Sequence, residues 1–346
     1  MGLNIGEIIP RERIEISEMK GRMFSVDAFN TLYQFLSTIR QPDGTPLMDS
    51  EGRITSHLSG IFYRNVNLIS EGAKLIYVFD GKPPDLKYKA HEIRKESREV
   101  QREKYEEAKQ EEDVEGMRRY SSQFIRLNSE MIEESKELLE AMGIAVVQAP
   151  GEGEAEAAYL ARVKSGIYAS VSQDYDSLLF GTPRLIRNLT LSGKRKTLRG
   201  WVEVSLEVIE LEKVLNTLNI NLDQLICLGI LVGTDYNPKG IPGIGQKRAL
   251  QIVQRYKQPV MIFKSVEEQM NALSDEDKFD WQEIFGLFHR ANVSDEEISF
   301  GKIDMQKIKE ILVERHNFSG ERVDKQLEKL QGLMDQQKQK NLSRWF

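Results

Sequence analysis

The sequence predicts an α/β fold in which a central, mainly parallel β-sheet is flanked by helices. Two short apolar runs, MFSVDAF at 23–29 and KLIYVFDG at 74–81, are too continuous for strands with one solvent-facing side. Such runs are typical of fully buried parallel strands. Apolar residues at helical spacing lie between the two runs. Strand, helix and strand in this order indicate a crossover unit and therefore a parallel sheet.

The alternation of strand and helix continues through the first half of the chain. One helix is expected over 28–40 and a second near 55–71, just before the second apolar run. Further strands are predicted at 143–150 and 167–172, with a loop and a helix between them. In open parallel sheets, ligands bind at the carboxyl ends of the strands. A functional site is therefore expected at that edge.

Three other segments depart from this alternation. Residues from Asp85 to about Tyr120 form an insertion that is highly charged and poor in large apolar residues, and the plain interpretation is a solvated helix. A basic hairpin is expected to turn near Ser192 and Gly193. The last third of the chain is predicted to be mainly helical, because 303–316 and 323–334 have apolar residues three and four apart.

The charge is unevenly distributed along the chain. The formal net charge is −6, yet the segments 184–199 and 239–257 each carry several bases and no acid. A locally basic surface on an acidic protein is compatible with a nucleic-acid partner. No apolar stretch reaches the roughly 18 residues of a membrane span. The single Cys227 lies in an apolar run, which favours a buried thiol over a disulfide or a nucleophile.

Seven carboxylates stand where buried strands or loops are expected to end. Carboxylates about 4 Å apart repel one another by a few kcal/mol at an intermediate effective dielectric, so a cluster of them needs cations. Oxygen ligands suit Mg²⁺ or Mn²⁺, and two such ions can activate water for phosphodiester hydrolysis. Taken singly, each acid is more often a helix cap or a surface charge, so the prediction depends on their convergence. The candidates are Asp27, Asp80, Glu152, Glu154, Asp174, Asp176 and Asp235.

The segment at 233–256 combines a glycine turn with a basic helix start. Exposed backbone N–H groups at such a turn suit a phosphate, as in helix-hairpin-helix modules that follow the backbone of duplex DNA. A glycine turn before a helix is often no more than a turn, so this pattern is moderately specific. The candidate residues are Gly240, Gly243, Gly245, Lys247 and Arg248.

Five motifs together resemble those of the flap endonucleases, the structure-specific 5′ nucleases of replication and repair. They are SVDAF, YVFDGKPPDLK, GEGEAEAAYL, SQDYDSLLF and GTDYNPKGIPGIGQKRAL, and they occur in this order nearly end to end. The chain looks like an archaeal member, although Pro242 and Gln246 differ from the lysine and proline expected there. The resemblance implies a PIN-like 5′ nuclease core with a helical arch and a helix-hairpin-helix module. It also implies a cytoplasmic, nucleoid-associated monomer.

The resemblance assigns roles to individual residues. The seven carboxylates would hold two Mg²⁺ ions, which Mn²⁺ could replace. Lys87 and Arg94 would reach the scissile phosphate from the arch, and Tyr33 would stack on a nucleobase beside the cut. Gly2 would lie near the site, and K⁺ would bridge the 240–245 turn to a DNA phosphate. Without the resemblance, Tyr33 would be interpreted as an ordinary core aromatic residue.

The resemblance also predicts the layout of the chain. A single nuclease domain would precede a tail that binds the sliding clamp PCNA, with Trp345 at a position where Phe is commoner. The clamp-binding residues would be Gln339, Leu342, Trp345 and Phe346, after a polar tether at 334–339. The expected regions are the domain at 1–338, its N-terminal nuclease region at 1–105, the arch at about 83–130, the internal nuclease region at 123–258, the C-terminal helical region at 259–338 and the tail at 339–346.

The function implied is that of a 5′ flap endonuclease with 5′–3′ exonuclease activity, acting in Okazaki fragment maturation and long-patch base excision repair. Two other classes compete. A PIN-like ribonuclease would share the acidic residues but lack the glycine turn and the arch. A DNA-binding or clamp-tethered scaffold without catalysis would not need seven acids. Within the nucleases, junction-resolving and excision-repair relatives remain open.

Overall fold

The computed structural model describes residues 3–41, 44–87, 99–105, 107, 126–190, 193–197 and 200–342. Within these residues, seven strands form one sheet and two form a separate hairpin. The strands are β1 Glu12–Ile14, β2 Met23–Asp27, β3 Lys74–Phe79, β4 Ala145–Gln148, β5 Ile167–Val171, β6 Arg184–Arg187, β7 Gly193–Thr197, β8 Gly200–Val204 and β9 Leu206–Glu210.

The large sheet is mainly parallel, as predicted. Its strand order is β1-β9-β6-β5-β2-β3-β4. The pairs from β6 through β5, β2 and β3 to β4 are parallel, whereas β9 runs antiparallel to both β6 and β1. The carboxyl ends of β2, β3, β4 and β5 therefore lie along one edge of the sheet.

Both faces of the central strands are buried. Along β3, Leu75, Tyr77 and Phe79 belong to one apolar cluster, and Ile76 and Val78 belong to another on the opposite face. Successive strand residues point to opposite faces, so a strand with helices on both sides requires apolar residues at every position. This explains the continuous apolar runs in the sequence.

Helices cover both faces of the sheet and build most of the chain after β9. The helices predicted over 28–40 and near 55–71 are present. The α-helices are α1 Ala28–Thr38, α2 Ser56–Ser70, α3 Ser129–Ala141, α4 Gly153–Val163, α5 Asp176–Leu179, α6 Leu211–Leu218, α7 Leu222–Val232, α8 Gln246–Tyr256, α9 Pro259–Lys264, α10 Glu267–Asn271, α11 Trp281–His289, α12 Met305–Lys309 and α13 Gly320–Leu342. Residues Glu310–Arg315 form a π-helix after α12.

One prediction about local structure is wrong. The basic hairpin does not turn near Ser192 and Gly193, because Gly193 pairs with Val204 and Thr197 pairs with Gly200. The chain reverses between Thr197 and Gly200. A Ser-Gly pair is a turn signal by composition, but pairing between the two flanking runs sets the register of the hairpin.

The segment expected to be a tether is helical. Residues 334–339 continue α13, which ends at Leu342. Gln, Lys and Met are good helix formers, so a polar composition does not by itself end a helix.

The predicted arch lies mostly outside the described residues, which omit 88–98 and 108–125. It begins with a 3₁₀ turn at Asp85–Lys87, and residues 99–105 are helical. In the described portion of the chain, no single helix is long and apolar enough to cross a membrane; α6 and α7 pass that test only as a pair bent by 81°.

Candidate active site

Six of the seven predicted carboxylates lie at or shortly after the carboxyl ends of strands β2 to β5, and the seventh lies shortly after α7. β2 ends on Asp27, and Asp80 follows the last residue of β3. Glu152 is the N-cap of α4, and Glu154 lies in the first turn of that helix. The remaining three are Asp174 and Asp176, which follow β5, and Asp235, which follows α7.

The charges of these side chains affect one another, which shows that the side chains converge. Burial, together with the charges of Asp80 and Asp174, raises the pKa of Asp27 to about 8. Burial, together with Asp235 and Asp174, raises the pKa of Asp176 to about 8. Both acids are at most 7% exposed, so water screens the repulsion poorly.

Two further acids show the same effect. Burial and then the charge of Asp176 hold the pKa of Glu154 well above its ordinary value. Burial raises the pKa of Asp80, and the charges of Glu152 and Asp235 add to the increase. The whole set is therefore linked by mutual repulsion, which the protein must offset with cations or with protons.

Lys87 lies inside the acidic cluster. Its Nζ contacts Glu152 Oε1 and lies 3.4 Å from Asp235 Oδ2. Burial alone would lower the pKa of Lys87, but the charges of Glu152 and Asp235 raise it above its ordinary value. The lysine predicted to reach the scissile phosphate is thus placed at the site, where it neutralises two of the carboxylates.

Asn30 connects two of the acids and was not predicted from the sequence. Its side-chain Nδ2 donates to Asp174 Oδ2 at 2.8 Å, and its Oδ1 accepts from the backbone N–H of Gln173 at 3.1 Å. Its own backbone N–H donates to Asp27 Oδ1 at 3.0 Å, which caps α1. Asn30 therefore fixes Asp27 relative to Asp174. Asn30 lies three residues after Asp27, where a backbone N–H normally donates to the N-cap side chain, and this spacing is the sequence signal for its place beside Asp27.

Two other side chains orient glutamates and were also missed. Ser177 donates to Glu154 Oε1 from its backbone N–H at 3.0 Å and from its hydroxyl at 2.7 Å. The Tyr236 hydroxyl donates to Glu152 Oε2. Each of these residues directly follows a predicted carboxylate, which is the only signal that the sequence offers.

Gly153 allows the loop after β4 to approach Asp80. The Gly153 N–H donates to Asp80 Oδ1 at 2.6 Å. A Cβ at this position would lie 2.8 Å from the same oxygen and 2.9 Å from the carbonyl oxygen of Val78. A larger residue would therefore push Asp80 away from the cluster.

The donor set fits divalent metal ions. The seven candidate ligands are all carboxylates, whose oxygens suit hard cations. Oδ1 of Asp176 is buried without a hydrogen-bond partner among the described residues, as expected of an atom reserved for a ligand. No three of the described His, Cys, Asp or Glu side chains already surround one point with metal-ligand geometry.

The glycine turn has the predicted form. Gly243 adopts a φ of +78°, and the space beside its Cα is open. Gly245 is the N-cap of α8, and the Lys247 side chain is 78% exposed in its first turn. Arg248 donates to the Gly243 carbonyl at 3.3 Å. The turn thus presents backbone N–H groups and exposed bases on one surface.

The other predicted site residues are placed less completely. Tyr33 is partly buried against the core, which leaves some of its ring accessible. Gln339 and Leu342 lie in the last turns of α13. Gly2, Arg94, Trp345 and Phe346 lie outside the described residues.

Comparison with known proteins identifies the family. Residues 6–101 match the model of the XPG N-terminal domain, and residues 143–235 match that of the XPG I-region. Flap endonuclease 1 of Thermococcus onnurineus is 50% identical over 350 residues, which cover 100% of this chain and 99% of the relative. Flap endonuclease 1 of Pyrococcus furiosus is 50% identical over 349 residues, with the same coverage of both chains.

The chain belongs to the flap endonuclease 1 family. The solved structure of flap endonuclease-1 from Methanococcus jannaschii has 38% identity and a TM-score of 0.75, covering 97% of this chain and 100% of that chain. The catalytic core of Rad2 in complex with DNA substrate shares the fold at 22% identity, with a TM-score of 0.68 over 93% of this chain and 96% of that chain. The family membership confirms the resemblance and the predicted fold class.

The raised pKa values predict how stability depends on pH. In the folded protein, Asp27 and Asp176 stay protonated up to about pH 8. In the unfolded chain, both side chains are already ionised at that pH. The metal-free protein should therefore lose stability as the pH rises from 6.5 to 8, by on the order of 1 kcal/mol per pH unit for each group. Urea unfolding in EDTA measures this slope.

Asp176→Asn should show a shallower slope, and the exposed control Asp275→Asn should match the wild type. Equal slopes in all three proteins would mean that the pKa of Asp176 is not raised in the folded state.

The position of Lys87 predicts its effect on metal affinity. Lys87→Met removes the cation that competes for Glu152 and Asp235, so the DNA-free protein should bind Mn²⁺ on the order of tenfold more tightly, the equivalent of roughly one pKa unit. Isothermal titration calorimetry measures this affinity. Lys74→Met, at the amino end of β3, is the control and should leave it unchanged. Weaker binding by Lys87→Met would contradict the competition.

Proposed function

We propose that the chain is a structure-specific 5′ flap endonuclease with 5′–3′ exonuclease activity, which hydrolyses phosphodiester bonds where single-stranded DNA meets duplex DNA. The observation that carries the proposal is the convergence of seven carboxylates near the carboxyl edge of a parallel sheet, where Lys87 contacts Glu152 and lies close to Asp235. Relatives named flap endonuclease 1 that match the whole chain at 50% identity support it.

The acidic cluster would hold two Mg²⁺ ions, with Mn²⁺ as a substitute. Ions of this kind supply a Lewis acid for the phosphoryl group and lower the pKa of bound water. The protein contributes fixed ligands: Asn30 orients Asp174, Ser177 orients Glu154, and Tyr236 orients Glu152. Rigid orientation favours metal binding because the ligands lose little freedom when the ion binds.

Basic and aromatic side chains would act on the DNA strand that is cut. Lys87 and Arg94 would stabilise the negative charge that develops on the phosphoryl oxygens in the transition state. Tyr33, whose ring is partly exposed, would stack on the base beside the cut. The products would be a 5′ phosphate and a 3′ hydroxyl.

The glycine turn would hold the duplex. Its N–H groups at Gly243 and Gly245, with Lys247 and Arg248, would contact phosphates without reading the base sequence. K⁺ would bridge the 240–245 turn to a phosphate, and Gly2 would contact DNA near the site. The cellular roles proposed are Okazaki fragment maturation and long-patch base excision repair, carried out by a cytoplasmic, nucleoid-associated monomer.

A labelled double-flap DNA tests the proposed function. With Mg²⁺, the protein should cut once at the junction, and the position is mapped to the nucleotide. EDTA should abolish the cut. A four-way junction is the matched substrate that distinguishes a flap endonuclease from a junction-resolving enzyme. Preferred cutting of the four-way junction, or cutting that persists in EDTA, would contradict the proposal.

Asp235→Asn should lower the cleavage rate roughly a thousandfold or more, since several kcal/mol of transition-state stabilisation would be lost. The free energy of unfolding of the metal-free variant should be unchanged or higher, because a like charge is removed from the cluster. Cleavage assays and urea unfolding measure the two effects. A marked loss of metal-free stability would indicate that Asp235 is a structural residue.

The C-terminal tail is proposed to bind the sliding clamp PCNA through Gln339, Leu342, Trp345 and Phe346. Deletion of 339–346 should abolish stimulation of flap cleavage by the clamp and leave cleavage without the clamp unchanged. Lys340→Ala, inside the tail but outside the four residues, is the control and should keep the stimulation. Stimulation that survives the deletion would place the clamp contact elsewhere.

A further inference from the structure

Arg187 contacts the chain on both sides of Asp174. Its Nε donates to the Gln173 carbonyl at 3.1 Å, and its Nη1 donates to the Tyr175 hydroxyl at 2.7 Å. The guanidinium also lies over the Tyr175 ring, 4.5 Å from its centroid. Nη1 is 3.3 Å from Glu207 Oε2, on the residue paired with Arg187 across β6 and β9. In the sequence, Arg187 belongs to the basic segment 184–199, but only 19% of its side chain is exposed.

The segment that Arg187 holds needs external support. Residues 172–175 connect β5 to α5 and have no regular secondary structure. Their conformation therefore depends on side-chain contacts. The segment carries Asp174 and leads directly into Asp176, two of the acids in the candidate metal site.

The support comes from the strands on both sides of β5. In the sheet order, β6 and β2 flank β5. Arg187 ends β6, and Asn30 follows β2 by three residues. Asn30 holds the Gln173 N–H and the Asp174 carboxylate, whereas Arg187 holds the Gln173 carbonyl and the Tyr175 hydroxyl. Asn30 and Arg187 thus bind different atoms of the same three residues, 173–175.

The first residues of the described chain complete the arrangement. Arg11 donates to the Tyr175 hydroxyl at 3.2 Å and lies 3.8 Å from Glu207 Oε1. Gly6 packs so closely against Tyr175 that a Cβ there would lie 2.8 Å from the hydroxyl oxygen. Tyr175 is consequently only 7% exposed, and its hydroxyl accepts from two guanidinium groups. These contacts hold the ring of Tyr175, the residue between Asp174 and Asp176 in the sequence.

We propose that Arg187 is a positioning residue that holds Asp174 and Asp176 in the arrangement required for divalent metal binding. The proposal rests on the metal-dependent function proposed above. Arginine is required because its planar group donates in two directions while stacking on an aromatic ring, which a lysine ammonium cannot do. Glu207 lies near both Arg187 and Arg11 and offsets part of their charge.

The test is Mn²⁺ binding to the DNA-free protein, measured by isothermal titration calorimetry. Arg187→Lys keeps the positive charge but loses the planar guanidinium that donates in two directions. It should weaken Mn²⁺ binding by about tenfold to a hundredfold, the usual range for residues that orient metal ligands. Tyr175→Phe should weaken it by about fivefold, the equivalent of one hydrogen bond. Arg184→Lys is the matched control on the same strand, where the guanidinium lies over Tyr168, and should bind Mn²⁺ like the wild type.

A second readout separates positioning from general structural damage. At saturating DNA, Arg187→Lys should have a lower kcat with an unchanged KM for DNA, and higher Mn²⁺ concentrations should restore some of the rate. Wild-type Mn²⁺ affinity in Arg187→Lys, or equal weakening in Arg187→Lys and Arg184→Lys, would overturn the proposal. So would a loss of DNA affinity without a loss of metal affinity, since Arg187 would then be a DNA contact.

Two further variants keep the result interpretable. If Arg187→Lys does not fold, Tyr175→Phe and Glu207→Gln test the same network, and wild-type Mn²⁺ affinity in both would overturn the proposal. Asp176→Asn should abolish Mn²⁺ binding at the site. If the wild type and Asp176→Asn bind Mn²⁺ equally, the proposed metal site itself is wrong; if only the Arg187 network has no effect, the error is confined to the positioning role.

Discussion

The mutual repulsion of carboxylates held together in a poorly solvated place is the constraint on which the rest of the structure depends. A parallel sheet brings the ends of its strands to one edge, and this chain places an acid at or shortly after the ends of β2, β3, β4 and β5. Burial and neighbouring charge then raise the pKa values of Asp27 and Asp176 far above those of free aspartate. Such a cluster is unfavourable for folding and favourable for binding cations, so a gain in metal affinity comes at the cost of metal-free stability.

Most of the surrounding contacts keep the acids in place despite this repulsion. Lys87 lies close to two of them as a counter-ion, and Asn30 joins two others across neighbouring strands. Arg187 and Tyr175 fix the segment 172–175, which carries Asp174 and has no regular secondary structure of its own. The same segment connects β5 to α5, so the fold and the site share these contacts. A change in the network should therefore alter metal affinity before it alters global stability.

The sequence predicted the fold and the acids because both depend on short-range patterns. The continuous apolar runs ending at Asp27 and Asp80 indicated the strands and the edge at which they end. The hairpin register could not be predicted this way, because pairing between Gly193 and Val204 outweighs a local turn signal. Asn30 and Asp174 are 144 residues apart, and Arg187 looked like a member of a basic surface until its partners on β9 and the β5–α5 segment were known. Contacts between residues so far apart in the sequence depend on the three-dimensional arrangement of the strands, which composition and spacing do not specify.

The central claim is that the carboxylate cluster is a divalent metal site occupied in competition with Lys87. Anomalous diffraction from crystals grown with Mn²⁺ tests this most directly, because the signal locates the ions without assumptions about ligands. Mn²⁺ peaks are expected among the seven carboxylates, with an oxygen of Asp176 as a ligand and Lys87 Nζ no longer in contact with Glu152. An absence of peaks at the cluster, or peaks there with the contact between Lys87 and Glu152 intact, would contradict it.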